Sequence, residues 1–310
     1  MQPVRQVVTR PADDKAAHVA RQASGGGGRS VLSAVCGLLA IVLLPVSLVG
    51  FWASVMLTRT DVFVEELRPV VTKPQVQEAL TDGVVQGVLG AVQLQPAIEK
   101  ALEAPIRTQA AALVASPQVT TAWATGIRAL HTQFIAVMEG RADTKLDDQG
   151  RVSVRLTIPV PALTSTLEQA GVPDAGSIAP VVTIPLVKAT DLQKAQAAYR
   201  IADAWGPWGP LVVGALALLS IALARRWRTA TTLVAIGWIA TALALALVLM
   251  VSREPLMRRV DPEVARTIAD AAYGLAARNL YYEIAIAVGV GVVMLVVSAV
   301  SLAFGRRRSR

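Results

Sequence analysis

Four apolar runs divide this chain. Residues 31–57, 208–224, 229–251 and 284–304 contain no Asp, Glu, Lys, Arg or His. They are 27, 17, 23 and 21 residues long. An α-helix rising about 1.5 Å per residue needs about 20 apolar residues to cross a hydrocarbon core of about 30 Å. Each run therefore predicts a membrane-spanning helix. The second is at the short limit and is expected to draw on Gly206 and Pro207. Pro45 is expected to kink the first. That first run exceeds the roughly 7–15 apolar residues of a signal peptide, and 30 residues precede it. An uncleaved anchor is expected.

The periods between the runs differ. Residues 58–207 open with helical spacing. Thr60-Asp61 reads as the cap of a short amphipathic helix carrying Phe63, Val64 and Leu67 and stopped by Pro69. Proline in the first turn then marks three helix starts: Thr72-Lys73-Pro74, Gln95-Pro96 and Ser116-Pro117. The third start opens a stripe of Val119, Trp123, Ile127, Leu130, Phe134 and Met138, with Gly140 as its stop. The same grammar returns at Asp261-Pro262-Glu263-Val264. There Val264, Ile268 and Asp270 repeat the spacing of Val76, Leu80 and Asp82; shared capping rules account for this as well as a duplication does.

Past residue 141 the period shortens. Asp147-Asp148-Gln149-Gly150 predicts a turn. Val152, Val154, Leu156 and Ile158 alternate with polar residues, as in a half-buried strand. Pro161–Ala170 suggests a short helix, and Val181–Val187 a second strand pushed to an edge by Pro185. A helix capped by Thr190-Asp191 follows, carrying Leu192, Ala195, Tyr199, Ala202 and Trp205. The expected fold class is therefore an α-helical multi-pass membrane protein with four spans. Its extracytoplasmic domain is expected to be α-rich α+β, with a small strand–helix–strand unit.

Composition supports the membrane assignment. The chain of 310 residues is 54% hydrophobic and 17% charged, with mean hydropathy +0.50; soluble domains are about 25% charged. Net charge is +8, but its distribution matters more. Residues 1–30 carry +3, residues 225–228 carry +3 and the terminal tail carries +4, whereas 58–207 carries −2 and 252–283 is neutral. Four crossings put the three basic segments on one side, as the positive-inside rule requires. The topology-setting residues are Arg225, Arg226, Arg228, Arg306, Arg307 and Arg308. Nucleic acid is not needed to explain the basicity.

The expected layout follows. Residues 1–30 form a disordered cytoplasmic tail, 31–57 the first span and 58–207 the extracytoplasmic domain. Residues 208–224 form the second span, 225–228 a cytoplasmic loop and 229–251 the third span. Residues 252–283 form an extracytoplasmic helical loop, 284–304 the fourth span and 305–310 a basic cytoplasmic tail. The location is the plasma membrane, with both termini cytoplasmic. Trp52, Trp205, Trp208, Tyr281 and Tyr282 fall where aromatic rings favour the interface. Ala285, Ala287, Gly289 and Gly291 give the fourth span small faces suited to close helix packing, within the chain or in a homodimer.

Candidate chemistry is sparse. No phosphate loop, His-Glu-x-x-His or Gly-x-Ser-x-Gly motif occurs. The histidines are His18 and His131. With no second His or Cys near it, His131 reads as a hydrogen-bonding group at a helix edge. Asp143, Asp147 and Asp148 fail the calcium-loop pattern, because Lys145, Asp148 and Val154 occupy its third, sixth and twelfth positions. Glu65-Glu66 and Glu99/Glu103 read as solvated helix faces. The single Cys36 cannot form an intramolecular disulfide, and the apolar run follows it where a lipoprotein site needs it before. No cofactor or metal is expected.

The order of features resembles a loose family of uncharacterised actinobacterial integral membrane proteins. The residues carrying the resemblance are Thr60-Asp61-Val62-Phe63, Pro69, Pro74-Gln75-Val76-Gln77, Trp123, His131, Gly140 and Gly150-Arg151-Val152-Ser153-Val154. The passage from Leu211 through Arg225-Arg226 completes it. The resemblance implies topology and host type and lends no catalytic residue. The expected function is non-enzymatic: the extracytoplasmic domain binds or positions a cell-envelope partner, protein or lipid. The alternatives are an accessory subunit of a transport or export assembly, or an envelope hydrolase built around His131. Expected partners are the lipid bilayer and another envelope or membrane protein; the sequence sets no oligomeric state.

Overall fold

The computed structural model describes residues 12–91, 96–141, 151–157, 181–260 and 263–307. Its helices are α1 (Ala12–Met56), α2 (Thr60–Leu67), α3 (Pro74–Ala91), α4 (Pro96–Val114) and α5 (Pro117–Met138). After strands β1 (Arg151–Thr157) and β2 (Val181–Lys188) come α6 (Ala189–Trp205), α7 (Gly209–Leu223), α8 (Trp227–Met257) and α9 (Glu263–Arg307). Short 3-10 turns cover Arg68–Thr72 and Gly206–Trp208. Four helical stretches are long and apolar enough to cross a membrane: Gly28–Met56, Asp191–Leu223, Trp227–Met257 and Glu263–Ser301. The chain is a multi-pass membrane protein.

The three proline starts hold. α3, α4 and α5 begin at Pro74, Pro96 and Pro117. The Ser116 hydroxyl accepts from the Val119 amide and so satisfies one orphan donor of α5. Gly140 closes α5 with φ +72°, a left-handed conformation that an L side chain would strain.

Two expectations are corrected. α1 begins at Ala12, so residues 12–30 are helical where a disordered tail was expected. The helix runs without a break from Ala12 into the first span. The α+β class also fails. The described residues are overwhelmingly helical, and helices build the core. β1 and β2 pair with each other only, antiparallel, with Val152 opposite Val187 and Ser153 opposite Pro185. That register leaves Leu186 as the extra residue of a bulge, next to a proline with no N–H to give. A lone two-stranded ribbon makes no sheet for helices to cover. Alternation over so short a stretch extends the backbone, but among the described residues no third strand joins these two to build a layer. The expected turn at 147–150 and helix at 161–170 lie outside the described residues, as does Arg308.

Contacts divide the chain into two compact units. The first comprises residues 1–47, 210–245 and 284–310. Here Ser33 Oγ donates to the Ser220 carbonyl at 2.7 Å, and Ser220 Oγ returns a bond to the Ser33 carbonyl at 2.8 Å, joining α1 to α7. Small residues let α8 approach its neighbours. A Cβ at Gly291 of α9 would stand 2.7 Å from Ile239 Cγ1, and one at Gly237 would strike Ile41 of α1. Thr232 and Ser298 hydroxyls meet at 2.8 Å across α8 and α9. The small face of the fourth span is thus used within the chain at Ala287, which is buried, and at Gly291.

The second unit comprises Leu48–Gly209 and Ala246–Glu283. Its main core joins Val64 and Leu67 of α2, Val70, Val76 of α3, Ile127 of α5, and Ala271 and Leu275 of α9. Leu80 and Ile268, the paired positions of the weak repeat, both pack against it. Their companions Asp82 and Asp270 both hold arginines, Arg107 and Arg253. Trp123 Nε1 donates to the Leu67 carbonyl, and Trp52 Nε1 to the Ala276 carbonyl. Trp52 is therefore a tie within this unit as well as a candidate interface ring. A smaller cluster of Val137, Met138 and Tyr199 fastens α6 to the end of α5.

Candidate functional site: the groove between α2 and α5

α2 is only eight residues long, so packing and not propensity holds it in place. Val64 and Leu67 face the core, which turns Asp61 and Glu65 outward. The sequence expected Thr60-Asp61 to cap this helix. The cap position is instead Arg59, without a side-chain bond. Thr60 and Asp61 reach across to α5. Thr60 Oγ1 lies 3.1 Å from His131 Nδ1, and Asp61 Oδ1 accepts from Arg128 Nη1 at 2.7 Å. His131 and Arg128 are three residues apart on one helix, so the two contacts clamp α2 at one turn of α5.

His131 is not at a solvated helix edge. It is 2% exposed and stacks on Phe63, with ring centroids 4.1 Å apart; Phe134 lies 5.9 Å away. Its Nε2 is buried with no hydrogen-bond partner. Burial lowers the pKa of the imidazole below its ordinary value, and the backbone of Met56 opposes this in smaller part. The neutral ring with one paired nitrogen is what such a pocket favours. Its polar neighbours are a hydroxyl and a backbone group. Asp61 and Glu65 are exposed, and among the described residues no carboxylate hydrogen-bonds to the imidazole.

An open groove of about 480 Å³ runs between the exposed sides of α2 and α5. Val64 and Ala124 form its apolar floor. Asp61, Glu65 and Arg68 line one wall, and Thr121, Thr125 and Arg128 the other. The second set falls at four- and three-residue spacing on α5, which puts it on one face. The Asp61–Arg128 pair is highly exposed and adds little to stability. Glu65 and Arg68 make no ion pair among the described residues. The groove therefore offers one free charge of each sign, two hydroxyls and an apolar floor.

The other candidate positions are elsewhere. Glu66 accepts from Arg278 of α9 at 2.9 Å, and Glu103 pairs with Arg107 on its own helix. Cys36 is buried and free. Arg225 and Arg226 are exposed in the turn between α7 and α8, and Arg228 lies over the ring of Trp227 at 5.6 Å. Among the described residues, no group of three or more His, Cys, Asp or Glu could hold a metal ion. The pairing of Thr60 with His131 had a faint sequence signal. His131 lies four residues after Ile127 and three before Phe134, on the buried stripe itself. No protein-family model, curated protein or solved structure matches the chain.

Proposed function

We propose that this chain is a non-enzymatic integral protein of the plasma membrane whose second unit is extracytoplasmic and binds or positions an envelope partner, protein or lipid, through the α2–α5 groove. The observation that carries this reading is the groove itself. It combines an apolar floor with uncommitted charges of both signs, and both of its walls, α2 and α5, are anchored in the main core. Preorganised walls lower the entropic cost of association. The charge partition favours cytoplasmic termini and an external second unit. The runner-up, an accessory subunit of a transport or export assembly, draws on one fact: the four apolar runs contain no ionisable residue, which a coupled pathway commonly needs.

In-cell photocrosslinking tests the proposal. A photoreactive phenylalanine at the groove residue Thr125 should give a discrete adduct, and Arg128→Glu should reduce it several-fold. The same probe at the exposed Gln109 of α4 should give none. Adducts from Gln109 but not Thr125 would move the binding surface off the groove. Adducts only from probes within the spans would favour the subunit reading.

A further inference from the structure

A second groove, of about 490 Å³, lies wholly within the first unit, between α1, the end of α7 and the start of α8. Its two ends differ in chemistry. Arg225, Arg226, Ser30 and Thr229 line one end, and Leu38, Ile41 and Leu233 the other. The floor is set by the reciprocal Ser33–Ser220 pair and by Gly37, where a Cβ would stand 2.8 Å from Ser220 Oγ. No acidic residue lines it, and Arg225 and Arg226 have no ion-pair partner among the described residues. The start of α8 adds the positive end of a 31-residue helix.

We infer that this groove seats one anionic phospholipid, with its phosphate between Arg225 and Arg226 and an acyl chain along α1 and α8. The inference is independent of the partner-binding reading above. Charge complementarity names the head group: two guanidinium groups and two hydroxyls present donors and no competing carboxylate. Length names the tail. From Ser30 to Ile41, α1 rises roughly 16 Å, and one leaflet of the hydrocarbon core is about 15 Å thick. Leu38 and Leu233 are 63% and 62% exposed, so the apolar end is open to a chain entering from the side. A basic pocket between membrane helices at their head-group end is the setting in which anionic lipids are recognised.

The test uses the full chain purified in a non-ionic detergent. Phosphatidylglycerol and phosphatidylcholine with identical acyl chains are titrated in, and retained lipid is counted by native mass spectrometry. Each arginine near an anionic head group contributes about fivefold, so the expected preference for phosphatidylglycerol is about thirtyfold. R225Q/R226Q should bind both lipids alike, and the tail variant R306Q/R307Q should keep the preference. Equal binding by the unaltered chain, or a preference that survives R225Q/R226Q, overturns the inference. Millimolar inorganic phosphate that displaces the lipid would also overturn it, reducing the groove to a small-anion site. If R225Q/R226Q does not assemble, the lipid comparison on the unaltered chain and the phosphate competition decide the matter.

Discussion

Burial of His131 has a consequence with a definite sign. Its ordinary pKa is 6.5, and the folded chain lowers it. Well above pH 6.5 the ring is neutral in both the folded and unfolded states, and the stability from its packing is fully present. As pH falls through 6.5 the unfolded chain binds a proton that the folded chain resists, so stability is lost, with a limiting slope of about 1.4 kcal/mol per pH unit. Chemical unfolding of the full chain in detergent should therefore show stability falling as pH drops below 6.5. His131→Phe, which keeps the ring stack with Phe63, should flatten that part of the profile. An unchanged slope in the variant would assign the pH dependence to other groups. Gly206 gives a second prediction of definite sign. A Cβ there would stand 2.6 Å from Ser54 Cβ and still closer to the Gly50 carbonyl oxygen, neither of which can swing away. Gly206→Ala should cost about 1–3 kcal/mol through overpacking. At Gly50, inside α1, the nearest atom to an added Cβ is 3.9 Å away. Gly50→Ala should thus be neutral or stabilising by up to about 1 kcal/mol. Thermal midpoints moving the same way for both would contradict the close approach.

At the scale of elements, local chemistry was legible and long-range chemistry was not. Pro74, Pro96 and Pro117 announce their helices because the first-turn proline and the Ser116 cap act within four residues. Thr60-Asp61 carries the same local signature, yet both side chains serve contacts some seventy residues away, with His131 and Arg128. Short polar side chains at a helix start can cap or cross-link, and only the neighbouring helix decides which. The stripe on α5 shows the same limit. Leu130 and His131 both satisfy helical spacing from Ile127, and hydropathy favours the leucine; the structure buries the histidine, because Thr60 and two aromatic rings receive it. The groove walls were individually visible as exposed polar residues, but their meeting depends on how α2 lies on α5. The alternation at 151–157 and 181–187 was a true sign of extended backbone and a false sign of an α+β layer, because periodicity reports a strand's faces and never how many partners it has.

At the scale of the whole molecule, the four candidate spans and the placement of charge make separate statements about the same chain. Length and apolarity establish that four helices can cross a membrane. Only charge gives them a direction. The segments 1–30, 225–228 and 306–310 together exceed the net charge of +8, which leaves the remaining segments slightly acidic. Of the three, the 225–228 turn is the most constrained: it joins two spans directly and has no long chain in which to relocate its charge. If it faces the cytoplasm, alkaline phosphatase fused after Gly140 should be active and the same enzyme fused after Arg228 inactive; the opposite pattern would invert the topology. Replacing Arg225, Arg226 and Arg228 with Glu changes that turn from +3 to −3. Insertion of the second and third spans should then be disturbed, seen as phosphatase activity appearing after position 228 in a measurable fraction of molecules. The milder R225Q/R226Q leaves Arg228 and both tails in place and should insert normally while losing the anionic lipid. That separation matters, because the same two arginines are asked both to orient the spans and to hold a head group. If the glutamate variant inserts as the unaltered chain does, the tails alone set orientation, and the role of Arg225 and Arg226 shrinks to the lipid groove.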